Sequence, residues 1–74
     1  MLIINQQKNR LFNVKNALSI NTLSNFAGEG ETTEIVSGNE ILGIYLNEKR
    51  ACEVLRDIGI SYARGERLYE MPEK

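Results

Sequence analysis

At Asn47 the chain changes its repeat, and that switch constrains the fold more than any other feature. Before it, apolar and β-branched residues come in short runs separated by polar or glycine-containing turns. After it, Ala51, Leu55, Ile58 and Tyr62 recur at spacings of four, three and four, with Val54 widening the stripe. That spacing is one apolar face of an amphipathic helix. Asn47 suits the N-cap, and Glu48 sits in the first turn, where the helix dipole favours a carboxylate. Arg64-Gly65 marks the end, with Gly as the cap. Lys49, Arg50, Glu53, Arg56 and Asp57 fall on the opposite, polar side. Gly59 interrupts the pattern at a cost of about 1 kcal/mol relative to Ala, and either bends the helix or lets another backbone come close.

The runs before Asn47 predict five short strands. Leu2-Ile3-Ile4 is the first. The polar run Asn5-Gln6-Gln7-Lys8-Asn9 turns the chain into Arg10–Val14, which makes a hairpin. Leu18–Leu23 alternates as a half-buried strand does. Ala27-Gly28-Glu29-Gly30-Glu31 reads as a loop and Thr32–Val36 as a β-branched strand. Ser37-Gly38-Asn39-Glu40 is a tight turn, and Ile41–Leu46 is the fifth strand. Gly43 within it signals a bulge or a close backbone approach. Beyond the helix, Leu68-Tyr69-Glu70-Met71 is one more short extended segment, stopped by Pro72.

Strands followed by a helix predict an α+β fold: a small antiparallel sheet of about five strands, a C-terminal amphipathic helix and a short extended tail. The whole chain reads as one domain, with strands over 1–46, the helix over 47–63 and the tail over 64–74. One helix covers one sheet face. The other face needs water or a second subunit, with Ile3, Phe12 or Leu23 supplying apolar area. The tail either adds a strand to its own sheet or pairs with a neighbouring subunit.

A domain of 74 residues buries a thin core. Cys52 is its only cysteine, so no internal disulfide can staple it, and without histidine a zinc site would rest on carboxylates. Helix packing and homo-oligomerisation are the remaining staples, and oligomerisation is the expectation. A lone cysteine fits a reducing cytoplasm. Cys52 reads as small apolar filler on the helix, since no imidazole can activate it as a reactive thiol. The Met1–Ile4 run is too short for a leader or a membrane span. A net charge of -1 argues against non-specific nucleic-acid binding, which uses a basic surface.

No catalytic constellation stands out. Glu29 with Glu31, and Glu53 with Asp57, are carboxylate pairs, but one belongs to a glycine-flanked loop and the other to a solvated helix face. Gly28-x-Gly30 lacks the third glycine and the Lys-Ser/Thr ending of a phosphate loop. Ser19, Ser24, Ser37 and Ser61 have no histidine to serve. The richer set is basic and aromatic: Arg50, Arg56, Tyr62, Arg64, Arg67 and Tyr69, all in the helix or just after it. Arginine with tyrosine holds phosphates, stacks bases or forms protein hot spots. The plainer reading is surface ion pairs with Glu66 and Glu70, plus tyrosines at the edge of the core.

Three stretches carry a resemblance. They are Met1-Leu2-Ile3-Ile4-Asn5-Gln6 with Phe12-Asn13-Val14; Leu42-Gly43-Ile44-Tyr45 running into Glu48-Lys49-Arg50-Ala51 and Glu53-Val54-Leu55; and Tyr62-Ala63 with Gly65, then Tyr69-Glu70-Met71-Pro72-Glu73. In these the chain resembles a group of small proteins from phages, prophages and conjugative elements of Gram-positive bacteria. The likeness is softest over 24–40 and contains no catalytic motif. It implies a mobile-element origin and a similar fold, not a reaction. The expectation is therefore a non-enzymatic binding protein with no cofactor and no metal. Its partner is a host or phage protein, one version being the antagonism of a host defence system. The alternative is an oligomeric binder of a small anionic, nucleotide-type ligand held by the arginines and tyrosines.

Overall fold

The computed structural model describes residues 1–15, 17–24 and 31–74, the side chains of 23, 24 and 31 excepted. The elements run β1 (Leu2–Ile4), β2 (Leu11–Asn13), β3 (Leu18–Ser24), β4 (Glu31–Ser37), β5 (Glu40–Tyr45), α1 (Glu48–Ala63) and β6 (Leu68–Glu70). Of the expected loop over 27–31, residues 27–30 lie outside the described residues, and Glu31 opens β4 instead, paired with Ser24. The α+β class holds, but the described residues form six strands in two three-stranded sheets, ordered β2-β1-β6 and β3-β4-β5. The helix is mid-chain rather than C-terminal, because the tail returns as β6 and pairs parallel with β1. A helix between two strands is the connection that lets them run parallel.

The first hairpin is set by one side chain. Asn5 is buried, and its Oδ1 accepts hydrogen bonds from the backbone N–H groups of Asn9 and Arg10, both at 3.0 Å. Its Nδ2 donates to Asn9 Oδ1 at 2.8 Å. The turn places Lys8 at φ 58° and brings β2 back antiparallel to β1, with Ile3 opposite Phe12. The Arg10 guanidinium lies 4.6 Å from the centre of the Phe12 ring.

The β3-β4-β5 sheet is an antiparallel meander. Its β4–β5 register slips between Ile35 and Val36, so Leu42 is unpaired and β5 bulges beside Gly43. Of the two expectations for Gly43 the bulge is met; the close neighbour is a side chain rather than a backbone, since a Cβ there would stand 3.0 Å from the Tyr45 ring. The two sheets are joined at the bulge. Gln6 donates its N–H to Leu42 O at 2.9 Å. Its side-chain Oε1 accepts from the N–H of Ile44 at 2.7 Å, while Nε2 donates to Ile44 O at 2.8 Å and Glu73 O at 2.9 Å.

α1 begins where the capping chemistry places it. Asn47 is extended, and its Oδ1 accepts from the N–H of Arg50 at 2.9 Å. At the other end Arg64 is the C-cap and Gly65 follows at φ 79°. Gly65 N–H donates to Tyr62 O and Glu66 N–H to Ser61 O, which satisfies the last carbonyls and turns the chain back toward β1. The buried arc of α1 is Ala51, Val54, Ile58 and Ser61. This corrects the expected stripe: Leu55 is half-buried and Tyr62 is exposed. Spacings of three, four and three fit the helix as well as four, three and four, and contact with the β3-β4-β5 sheet selects the arc. Cys52 is exposed, so it fills no core space. Among the described residues, a Cβ at Gly59 would touch nothing.

The core contains Ile3, Ile35, Leu42, Tyr45, Ala51, Val54, Ile58, Tyr69 and Met71, with Phe12, Val14, Leu18 and Ile20 packed at its edge. Ile3 is thus a core residue, not part of an outer face, and Phe12 leans on the core. The side chain of Leu23 lies outside the described residues. Among the described residues every buried side-chain nitrogen and oxygen has a partner.

Two stability outcomes follow from these contacts. Gln6→Ala leaves both main-chain groups of Ile44 without their partner and is expected to cost about 1–2 kcal/mol. Gln6→Glu, which points a carboxylate at two carbonyls, is expected to cost more. Gly59→Ala is expected to stabilise by about 1 kcal/mol, since the helix gains propensity at no steric cost. Urea unfolding of the three variants against the parent reads all of these.

Candidate functional site

The six arginines and tyrosines of the sequence-predicted site do not form one cluster. α1 is 16 residues long, so Arg50 in its first turn and Tyr62 in its last stand about 18 Å apart along the axis. Arg50 is engaged locally. Its Nε donates to the main-chain oxygen of Lys74 at 2.8 Å, a terminal nitrogen lies 3.5 Å from Glu53, and its guanidinium is 6.0 Å from the Tyr45 ring centre. Arg56 is exposed mid-helix, beside Lys49, Cys52 and Glu53. Arg64 is the exposed C-cap.

Tyr69 and Tyr62 have opposite roles. Tyr69 is only 8 % exposed, and its hydroxyl donates to Asp57 Oδ2 at 2.8 Å. Burial, reinforced by that hydrogen bond and the carboxylate's charge, pushes the phenol well above its usual range. Glu53 and Asp57, weighed as an acid–base pair, are thus each bound to a different neighbour. Tyr62 is 69 % exposed. With Arg67 it lines an open cleft of about 620 Å³ at the C-terminal end of α1, together with Met1, Leu2, Asn13 and Glu66.

This cleft borders a surface that the sequence reading missed. Ile3, Phe12 and Tyr69 stand side by side facing the core. Strand alternation therefore turns Leu2 and its neighbours Asn13 and Leu68 outward, along with Ile4, Leu11 and Glu70. Leu2, Leu11 and Leu68 are all exposed. The outer face of the β2-β1-β6 sheet is an apolar row edged by Tyr62 and Arg67 on one side and by the Lys8–Glu70 ion pair, at 2.8 Å, on another. Leu2-Ile3-Ile4 is apolar throughout, so the sequence could not show which of the three faces out, nor the pairing that sets Leu2 beside Leu68.

The second buried phenol closes the far end of the molecule. Tyr45 donates to Pro72 O at 2.8 Å. Burial pushes its pKa up to about 12, with Arg50 acting in the opposite direction. Among the described residues no three His, Cys, Asp or Glu side chains converge as a metal site, and no helix is long and apolar enough to cross a membrane.

The raised phenol fixes an alkaline limit. Below pH 10.0 folded and unfolded chains both keep the Tyr45 proton, and its contribution to stability is complete. Above that, the unfolded phenol ionises first, so stability falls as pH rises toward about 12. Unfolding free energies from urea titration are expected to be level from about pH 8 to 9 and to drop above about pH 10, by on the order of 1 kcal/mol per pH unit for each buried phenol. Tyr45→Phe is expected to reduce that slope, leaving the part due to Tyr69. Comparison of the chain with protein-family models, curated proteins and solved structures gives no match in any of the three.

Proposed function

We propose that this chain is a non-enzymatic binding protein of a phage or other mobile element, acting in the cytoplasm, and that its partner is a host or phage protein. The observation that carries the reading is the apolar outer face of the β2-β1-β6 sheet, with Leu2, Leu11 and Leu68 exposed beside Tyr62 and Arg67. An apolar centre edged by tyrosine, arginine and mixed charges is the make-up of protein interfaces, where Tyr and Arg carry much of the affinity. The origin rests on the resemblance of the chain's opening, its β5–α1 junction and its ending to proteins of mobile elements. Antagonism of a host defence system is one role such a protein fills.

A small anionic ligand has less support. Its arginines would have to converge, whereas Arg50 and Arg56 lie away from Tyr62 and Arg67, and Glu66 stands in the same cleft. An open cleft also leaves much of a small molecule in water, where pockets that hold such ligands enclose them.

The test uses the tagged full chain as bait in host lysate, with and without the element induced. Leu68→Asp and Tyr62→Ala are each expected to weaken capture of the retained protein at least about tenfold while leaving the unfolding curve near the parent's. Equal capture by both variants would move the interface elsewhere. An ultraviolet-absorbing molecule seen by native mass spectrometry and lost in Arg67→Glu would replace this reading with the ligand one.

A further inference from the structure

A sheet edge presents unpaired N–H and C=O groups, and proteins that do not use their edges shorten, charge, bulge or cover them. Among the described residues the two sheets have four edges, and three are closed off in those ways. β2 and β6 are three residues each. Arg10 and Lys15 flank β2, Arg67 precedes β6, and Glu70 lies in it. The outer edge of β5 is bulged and is occupied by Gln6.

β3 differs in every respect. It is seven residues long, Leu18-Ser19-Ile20-Asn21-Thr22-Leu23-Ser24, with no charge, proline or glycine. Its register with β4 is unbroken from end to end, so nothing twists its edge away. Among the described residues it is paired on one side only.

Its sequence also suits a copy of itself. Antiparallel pairing centred on Asn21 sets Leu18 opposite Ser24, Ser19 opposite Leu23 and Ile20 opposite Thr22. No like charges meet, because the strand has none. Ile20 is half-buried opposite the fully buried Ile35, so its row faces the core. The two Ile20 side chains become diagonal neighbours on that face. Asn21 is exposed on the other face, where, among the described residues, its side chain makes a long 3.4 Å hydrogen bond to Glu34. At the axis it meets its own copy, and a carboxamide, donor and acceptor at once, satisfies itself.

We infer that β3 is the seam of a symmetric dimer, in which two β3-β4-β5 sheets join through antiparallel β3 strands into one six-stranded sheet. The seam is on a different sheet from the apolar face assigned to the protein partner and does not rest on that reading.

The test is equilibrium sedimentation of the full chain from about 10 µM to 1 mM, a range matched to the small area an edge pairing buries. The mass is expected to rise from 8.4 kDa toward twice that value. Asn21→Asp, which sets two carboxylates against each other at the axis, is expected to weaken association at least about tenfold. In a Cys52→Ser background, Asn21→Cys is expected to be joined to its copy by a short dithiol-reactive linker. Leu11→Cys, on the exposed face of the other sheet, is expected not to be. A chain that stays monomeric overturns the proposal. So does a dimer that Asn21→Asp leaves unweakened, or one that crosslinks through position 11 and not 21.

Discussion

The Gln6 carboxamide is the contact on which the rest of the architecture depends. The β2-β1-β6 sheet, whose strands are three residues each, cannot hold a core alone. Gln6 leaves the end of β1 and meets the edge of β5 as another strand would, giving and taking hydrogen bonds with Leu42 and Ile44. The same amide reaches Glu73 O, and Tyr45, Arg50 and Lys8 hold Pro72, Lys74 and Met71 by their main-chain oxygens. The C-terminal segment is thereby bound to both sheets and to the first turn of the helix.

That binding decides what the surface presents. With Met71 N–H on Ile4 O and Leu2 N–H on Arg67 O, β6 has one register against β1. A slip of one residue would turn Tyr69 outward and Leu68 into the core. In the register adopted, Tyr69 is a core residue tied to Asp57, and the leucines on either side of the inward row form the exposed face. Tyr62 joins that face because the helix turns Ala51, Val54, Ile58 and Ser61 toward the core.

Much of the fold was legible along the chain wherever the cause was local. Asn47 and Gly65 bound the helix because a cap needs only its own turn. Asn5 makes the first hairpin by bonding residues four and five places on. Gly43 marked a bulge, and a Cβ there would stand 3.0 Å from the Tyr45 ring two residues later. The site was less legible. Arg50, Arg56, Tyr62, Arg64, Arg67 and Tyr69 are close in sequence, but a helix of 16 residues spreads them along its length and around its circumference. Nothing in their order told the buried tyrosine from the exposed one.

The sequence by itself determined the element types, the position of the helix and the absence of any internal disulfide or histidine chemistry, because these follow from residue identity and near neighbours. Only the tertiary structure decided that the strands divide into two sheets, that the tail closes parallel on β1, and which arc of the helix is buried. Each of those is a choice between pairings of similar local merit. The choice is made by contacts between residues such as Gln6 and Ile44, or Leu2 and Leu68, that are far apart in the chain.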